Sequence, residues 1–154
     1  MDDLMAPKFW KLSQGTDFFS YQDMADTIEN KLVYVHSDTP AKGKSHEAQG
    51  ANFIGADIGD YFYLTHGNKG IYLLGQLIGP ANIFSLKGDG WVDRPFRLIR
   101  LAAPNGGYLG PQKWWAPNDR STFTAVPEKE LTEFETNILT PFFDITFDKF
   151  GINV

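Results

Sequence analysis

Two strand-like runs joined by a glycine-bracketed turn commit this chain to an antiparallel sheet. Tyr61 to Thr65 and Ile71 to Ile78 are rich in aromatic and branched residues, and His66-Gly67-Asn68-Lys69-Gly70 lies between them. Such side chains suit a pleated surface, and the glycines supply the positive φ that a tight turn needs. Ile58-Gly59-Asp60 introduces the first arm, and Gly79-Pro80 ends the second.

The flanking segments extend this sheet. Residues 8–13 alternate as a strand does, and Gln14-Gly15-Thr16-Asp17 breaks the run. Ser20 followed by Asp23 resembles a capping box and starts a short helix over 21–29. Lys31 to His36 reads as a second strand, 37–50 as a polar loop, and Phe96 to Leu101 as another strand. Residues 102–120 form a long loop rich in Pro, Gly and Trp, the kind of loop that carries function in a compact domain. A short strand over Thr122 to Val126 precedes a helix over Pro127 to Leu139. There Pro127 suits the first turn, Glu128, Glu130 and Glu133 favour the positive helix start, and Leu131, Phe134, Ile138 and Leu139 form one apolar face. Five or six short strands with two or three helices predict an α+β domain around a strongly bent sheet or small barrel.

At 154 residues, 1–154 is expected to be a single domain with a proper core. No apolar run approaches the length of a membrane span, and Met1-Asp2-Asp3-Leu4 does not open a signal peptide. The chain has no cysteine, which excludes disulfides and thiolate metal sites and fits the cytoplasm. The net charge of −5 argues against nucleic acid when taken as a whole. Its distribution is uneven. Residues 87–120 carry Lys87, Arg94, Arg97, Arg100, Lys113 and Arg120 against three acids, together with three of the four Trp. That segment is either a basic, aromatic patch or a merely solvated face.

Catalytic signatures are missing. His36, His46 and His66 have no metal-ligand spacing, so no metal or other cofactor is expected. Lys42-Gly43-Lys44-Ser45 resembles the end of a phosphate-binding loop, but Asp38 stands where its first glycine belongs. No Gly-x-Ser-x-Gly turn occurs. The residues speak for binding rather than enzymatic activity.

Thirteen Phe, six Tyr and four Trp are more than strand cores use comfortably, and several sit beside polar loop residues. Trp91 follows Gly88-Asp89-Gly90, and Trp114-Trp115 is framed by Pro111 and Pro117. Flat side chains with polar neighbours suit a planar ligand such as an unstacked base.

The order of the pieces resembles a known pattern. Phe9-Trp10-Lys11-Leu12-Ser13-x-Gly15 resembles the opening of EVE-like domains, and Ile58 to Tyr63 followed by Gly70 to Ile78 resembles their central segment. Gly90-Trp91 and then Arg94 to Ile99 resembles the next strand, and is similar to the YTH family, where a Trp precedes such a strand. Both families belong to the PUA-like superfamily. The resemblance spans roughly residues 8–126. It implies a small barrel with an aromatic cage that receives one modified nucleobase. It also implies a setting, because EVE-like domains occur as N-terminal targeting modules of McrBC-type modification-dependent restriction systems. The expected partners are therefore DNA bearing a modified base and associated GTPase and nuclease subunits.

Trp91 is the first cage candidate through this resemblance, with a barrel-end plug as its structural alternative. Tyr34 stands roughly where YTH domains have another cage Trp, or packs in the core. Trp10 serves cage or core, and Ser13 bonds a base edge or caps a turn. His36 bonds a base edge or phosphate, or stands incidentally at a strand end. Trp114 and Trp115 form a lid or wedge, or pack their loop on the barrel. Lys87, Arg94, Arg97 and Lys113 are the phosphate candidates. Arg97 and Arg100 are three apart in a strand and are expected on opposite faces.

The expected function is recognition of N6-methyladenine or a 5-methylcytosine-type base in DNA by base flipping. Stacking supplies about 1–3 kcal/mol per base, whereas a buried methyl adds only about 0.8 kcal/mol. Pocket shape must therefore do most of the discrimination. An RNA-binding PUA-like module, an ASCH-type enzyme with a convergent Lys, and a protein-interaction module using the acidic helix remain the rivals.

Overall fold

The alternating runs become six strands of one mixed sheet. In the computed structural model, which describes residues 6–42, 47–68, 70–103 and 107–150, these are β1 (Phe9–Gln14), β2 (Leu32–His36), β3 (Tyr61–His66), β4 (Ile71–Leu77), β5 (Trp91–Leu101) and β6 (Phe123–Ala125). Their spatial order is β2-β5-β4-β3-β1-β6. Only β1 and β3 run parallel; the other four pairings are antiparallel. Two helices, α1 (Tyr21–Asn30) and α2 (Gln49–Gly55), and a C-terminal helical segment over 128–143 complete the α+β domain. The N-terminal residues 1–5, residues 43–46 with most of the phosphate-loop-like run, and Lys69 of the hairpin turn lie outside the described residues.

The sheet is covered on both faces over its centre, which is why β1 is buried at every position, polar Lys11, Ser13 and Gln14 included. Trp10, Leu12, Phe62, Leu64, Leu73 and Phe96 build the inner core with Met24 of α1 and Phe53 of α2. Phe9, Tyr63 and Leu74 build a second core with Phe134, Ile138, Leu139 and Phe143 of the C-terminal segment. A sheet covered on both sides buries apolar area at roughly 25 cal/mol per Å² on each face. The four-residue spacing of Phe134, Ile138 and Phe142 lies along the packed side of that helical segment.

Two buried glutamines tie the curl together. The Gln14 side chain accepts from the Tyr34 N–H at 3.0 Å and donates to Thr27 Oγ1 at 3.2 Å, linking β1, β2 and α1. The Gln49 side chain accepts from the Thr122 and Phe123 N–H groups at 2.7 and 2.8 Å and donates to the Pro40 carbonyl at 3.0 Å. α2 thus bridges the two edge strands of a half-barrel.

Several elements differ from expectation. α2 begins inside the predicted 37–50 loop. Its sequence carries no side-chain cap and two glycines, yet Gly50 is required there, because a Cβ would stand 2.2 Å from the Ser37 carbonyl oxygen. β5 starts at Trp91, not Phe96, because its first half pairs with β2 and its second with β4. The C-terminal segment is π-wound over Glu135–Leu139 and continues past Leu139 in an α-turn, Thr140–Phe143. Arg97 and Arg100 share a face. A register shift sets them opposite Gln76 and Leu74, two residues apart on β4. Among the described residues, no helix is long and apolar enough to cross a membrane.

Candidate functional site

The β-strand ends near the open edge of the curl enclose a cavity of about 450 Å³. Small-molecule sites occupy about 300–1,000 Å³. Ser13 ends one wall; Tyr34, Val35 and His36 of β2 and Trp91 of β5 form another. Gly15, Asp17, Phe18 and Phe19 come from the β1–α1 loop, and Thr39 and Thr122 complete the lining.

Local backbone chemistry sets each ring in place. Gly88 and Gly90 have φ of +137° and +80°, which allows the sharp approach into Trp91. A Cβ on Gly90 would lie 2.5 Å from His36 Nε2. The Asp38 N–H donates to His36 Nδ1 at 3.1 Å, so the ring proton sits on Nε2, which donates to the Asp89 carbonyl at 3.2 Å. The Gly15 carbonyl accepts from the N–H groups of Phe18 and Phe19. His66 Nε2 donates to the Phe19 carbonyl at 2.6 Å and fixes that loop on β3.

The pocket rings meet at steep angles. Phe18, Phe19 and His36 stand at 66°, 88° and 85° to the Trp91 indole, with centroids 5.8, 5.5 and 5.2 Å away. None of these three stacks on it. The Lys87 ammonium lies 4.9 Å from the Trp91 centroid and 4.0 Å from that of Phe19. Burial, with Asp93, Asp26 and Asp23 nearby, raises the Tyr34 hydroxyl above its ordinary pKa and keeps it protonated at neutral pH. The Ser13 hydroxyl has only a long contact, 3.5 Å, to the Gly67 carbonyl, a distance at which little bond strength remains. The arrangement offers aromatic walls, a tyrosine donor and a weakly engaged serine to a planar, polar-edged ligand.

Four of the five cage candidates, Ser13, Tyr34, His36 and Trp91, therefore meet on one cavity. Trp10 does not. Its indole stacks on Phe123 at 4.2 Å and 10°, and Nε1 donates to Asp60 at 3.0 Å, so its ring face is consumed by the core. It borders a separate cavity of about 150 Å³. Trp115 is not a lid. It is 1% exposed, packs edge-on against Phe134 and donates from Nε1 to Glu130 at 2.8 Å. Trp114 is 47% exposed, with Lys42 5.3 Å from its ring centroid.

The four phosphate candidates do not form one patch. Lys87 stands at the pocket mouth, where it also donates to the Phe18 carbonyl at 3.2 Å. Arg94 is buried and spends its guanidinium on the carbonyls of Phe53, Ala56 and Gly79. Pairing with those carbonyls makes it a structural clamp between α2 and the β4–β5 loop. Arg97 bonds Gln76 on the outer face. Lys113 pairs with Glu130 and Glu133 at 3.7 and 3.4 Å. The pattern of basic residues along the sequence could not separate a buried clamp from a surface charge.

Phe18 and Phe19 are the aromatic pocket residues that carry no expectation from the sequence. An adjacent aromatic pair just after a Gly-turn was the available signal, of the same type as Trp114-Trp115. Elsewhere, Lys11 is fully buried, and its Nζ donates to the Asp119 carbonyl at 2.7 Å and Ser121 Oγ at 3.0 Å. Burial pulls its pKa down to about 8. It borders neither cavity. Among the described residues, no group of three or more His, Asp or Glu side chains can hold a metal ion.

No protein-family pattern matches the chain, and no curated protein sequence does. Among solved structures it is similar to protein Atu2648 from Agrobacterium tumefaciens, at 16% identity over 82% of this chain and 89% of that one, with a TM-score of 0.48. A hypothetical protein from Leishmania major is 15% identical over 86% and 94%, with a TM-score of 0.45. Rpa0253 from Rhodopseudomonas palustris is 14% identical over 62% and 63%, with a TM-score of 0.38. None of these likenesses decides a fold family or a ligand.

Proposed function

We propose that this chain is a non-catalytic reader of a modified base in DNA, N6-methyladenine or a 5-methylcytosine type, which it takes into the Trp91 pocket after the base turns out of its strand. The observation that carries this reading is the meeting of Ser13, Tyr34, His36 and Trp91 on one cavity together with Phe18 and Phe19. Among the described residues no ring stacks on the Trp91 indole, and a base that uses its face would displace the Lys87 ammonium, which lies 4.9 Å from the ring centroid. Tyr34 and Ser13 supply edge contacts, and a preference for a base with an added methyl over one without must come from the shape of the pocket. The curled half-barrel is compatible with a PUA-like, EVE- or YTH-like domain. In that setting the chain is the targeting element of a modification-dependent restriction system, with GTPase and nuclease functions on associated subunits and a cytoplasmic location.

A single strand, RNA included, is the second reading, and one observation favours it. Of the four cations expected to grip phosphates, only Lys87 stands at the mouth, which suits a single strand read by stacking. A panel of short duplexes differing in one modified base, with matched RNA strands, tests both. The expected result is preference for one modified DNA duplex, lost in Trp91→Ala with the fold intact. Removing the stacking platform costs about 1–3 kcal/mol, or roughly tenfold or more in affinity. Equal affinity for modified and plain duplex contradicts the proposal.

A further inference from the structure

Beside the pocket, the chain spends an ordered loop on holding apolar side chains in water. Residues 78–90 connect β4 to β5. The loop's neck is closed by Asn82 and Asp93, whose backbones exchange hydrogen bonds at 2.8 and 3.1 Å, and the Asn82 side chain reaches Asp93 at 3.3 Å. Inside the loop, the Phe84 N–H donates to Asn82 Oδ1 at 3.1 Å, the Lys87 N–H to Ser85 Oγ at 3.2 Å, and the Trp91 N–H to the Gly88 carbonyl at 3.2 Å. Ser85 is turned in and buried, while Phe84 is 84% and Leu86 103% exposed. The small polar residue faces the protein and the two large apolar ones face solvent, the reverse of what burial favours.

Leu86 is followed directly by Lys87, whose ammonium sits on the rings of Phe19 and Trp91. The loop that carries the apolar tip is thus anchored on two rings of the pocket through Lys87. Phe18, also exposed, lines the same pocket.

This placement answers a need of the proposed reader, and the inference rests on that reading. Everting a base leaves a gap in the duplex stack. With Lys87 alone of the four expected cations at the mouth, phosphate contacts do little to offset the loss. Proteins that open a base step commonly insert an apolar wedge such as Leu or Phe. We infer that Leu86, supported by Phe84, is this wedge: it enters the stack from the loop while the everted base occupies the Trp91 pocket. Trp115, buried and bonded to Glu130, cannot take the wedge role expected of it from the sequence, and the β4–β5 loop supplies it instead.

The test compares wild type, Leu86→Ala and the double variant Phe84→Ala/Leu86→Ala. Each is titrated with a short duplex carrying one N6-methyladenine, the same strand alone, and the duplex with that base opposite an abasic site; a parallel set carries 5-methylcytosine. Both side chains are exposed, so the variants keep the fold. A wedge predicts about tenfold weaker binding to the intact duplex, with the single strand unchanged within about twofold and the abasic duplex in between. Equal loss on duplex and single strand, or no loss on either, overturns the wedge while wild-type selectivity leaves the pocket reading standing. A wild type that ignores the modification in every format overturns both. A free-protein dimer abolished by Leu86→Ala would assign the tip to a second copy and also overturn the wedge.

Discussion

Lys11 shows how one buried side chain couples this fold to pH. Its ammonium is sealed between β1 and the Asp119–Ser121 turn, and burial lowers its pKa from 10.5 to about 8. Between about pH 8 and 10.5 the unfolded chain keeps a proton that the folded chain has released, so this residue makes stability rise with pH across that window. Tyr63 and Tyr108 act the other way above pH 10, because burial raises both hydroxyls. The difference between wild type and Lys11→Met isolates the lysine. Urea unfolding at pH 7.5 and pH 10 is expected to show wild type gaining on the variant by on the order of 2 kcal/mol. A pH-independent difference would mean that the Lys11 ammonium is hydrated or fully compensated. Arg94 makes a similar point about buried cations: its donors all end on carbonyls, and nothing about an Arg in a basic run announces that.

The Gly88-Asp89-Gly90 turn is the element on which the pocket depends most. It delivers Trp91 to β5 and its carbonyls hold His36 and Ser37. Gly90→Ala places a Cβ against the His36 ring in a backbone conformation that L residues avoid. We expect a loss of about 1–3 kcal/mol in denaturant unfolding, with weaker ligand binding from displaced rings. Unchanged stability would mean the turn relaxes freely. Elements whose signals are local were legible in advance. α1 has both hydrogen bonds of the Ser20–Asp23 capping box, and the central hairpin falls within a residue of its expected bounds. Elements decided by tertiary contact were not. α2 has weak intrinsic signals and forms because Phe53 enters the core and Gly50 lets β2 approach. The bulge that turns Arg100 onto the same face as Arg97 is a pairing event between β4 and β5. The candidate site was half legible for the same reason: strand-end rings carried a pattern, whereas Phe18 and Phe19 reach the pocket only through the path of a loop.

The molecule as a whole divides its aromatic residues between three tasks. One set fills the inner core, where Trp10 stacks on Phe123. A second cements the C-terminal helical segment onto the sheet, where Phe9, Phe134, Phe147 and Trp115 meet. The third, around Trp91, lines an open cavity. For the proposed methylated base, the methyl itself is worth only about 0.8 kcal/mol of burial, so the shape of this third set must supply most of the discrimination.

The four tryptophans allow this division to be tested in one titration. Their indole N–H signals, assigned through single Trp→Phe variants, are followed by two-dimensional NMR as a short duplex containing the preferred modified base is added. The account predicts a large displacement of the Trp91 signal, while those of Trp10 and Trp115 stay in place. Binding that leaves Trp91 unmoved, or that moves Trp10 or Trp115 instead, would contradict it.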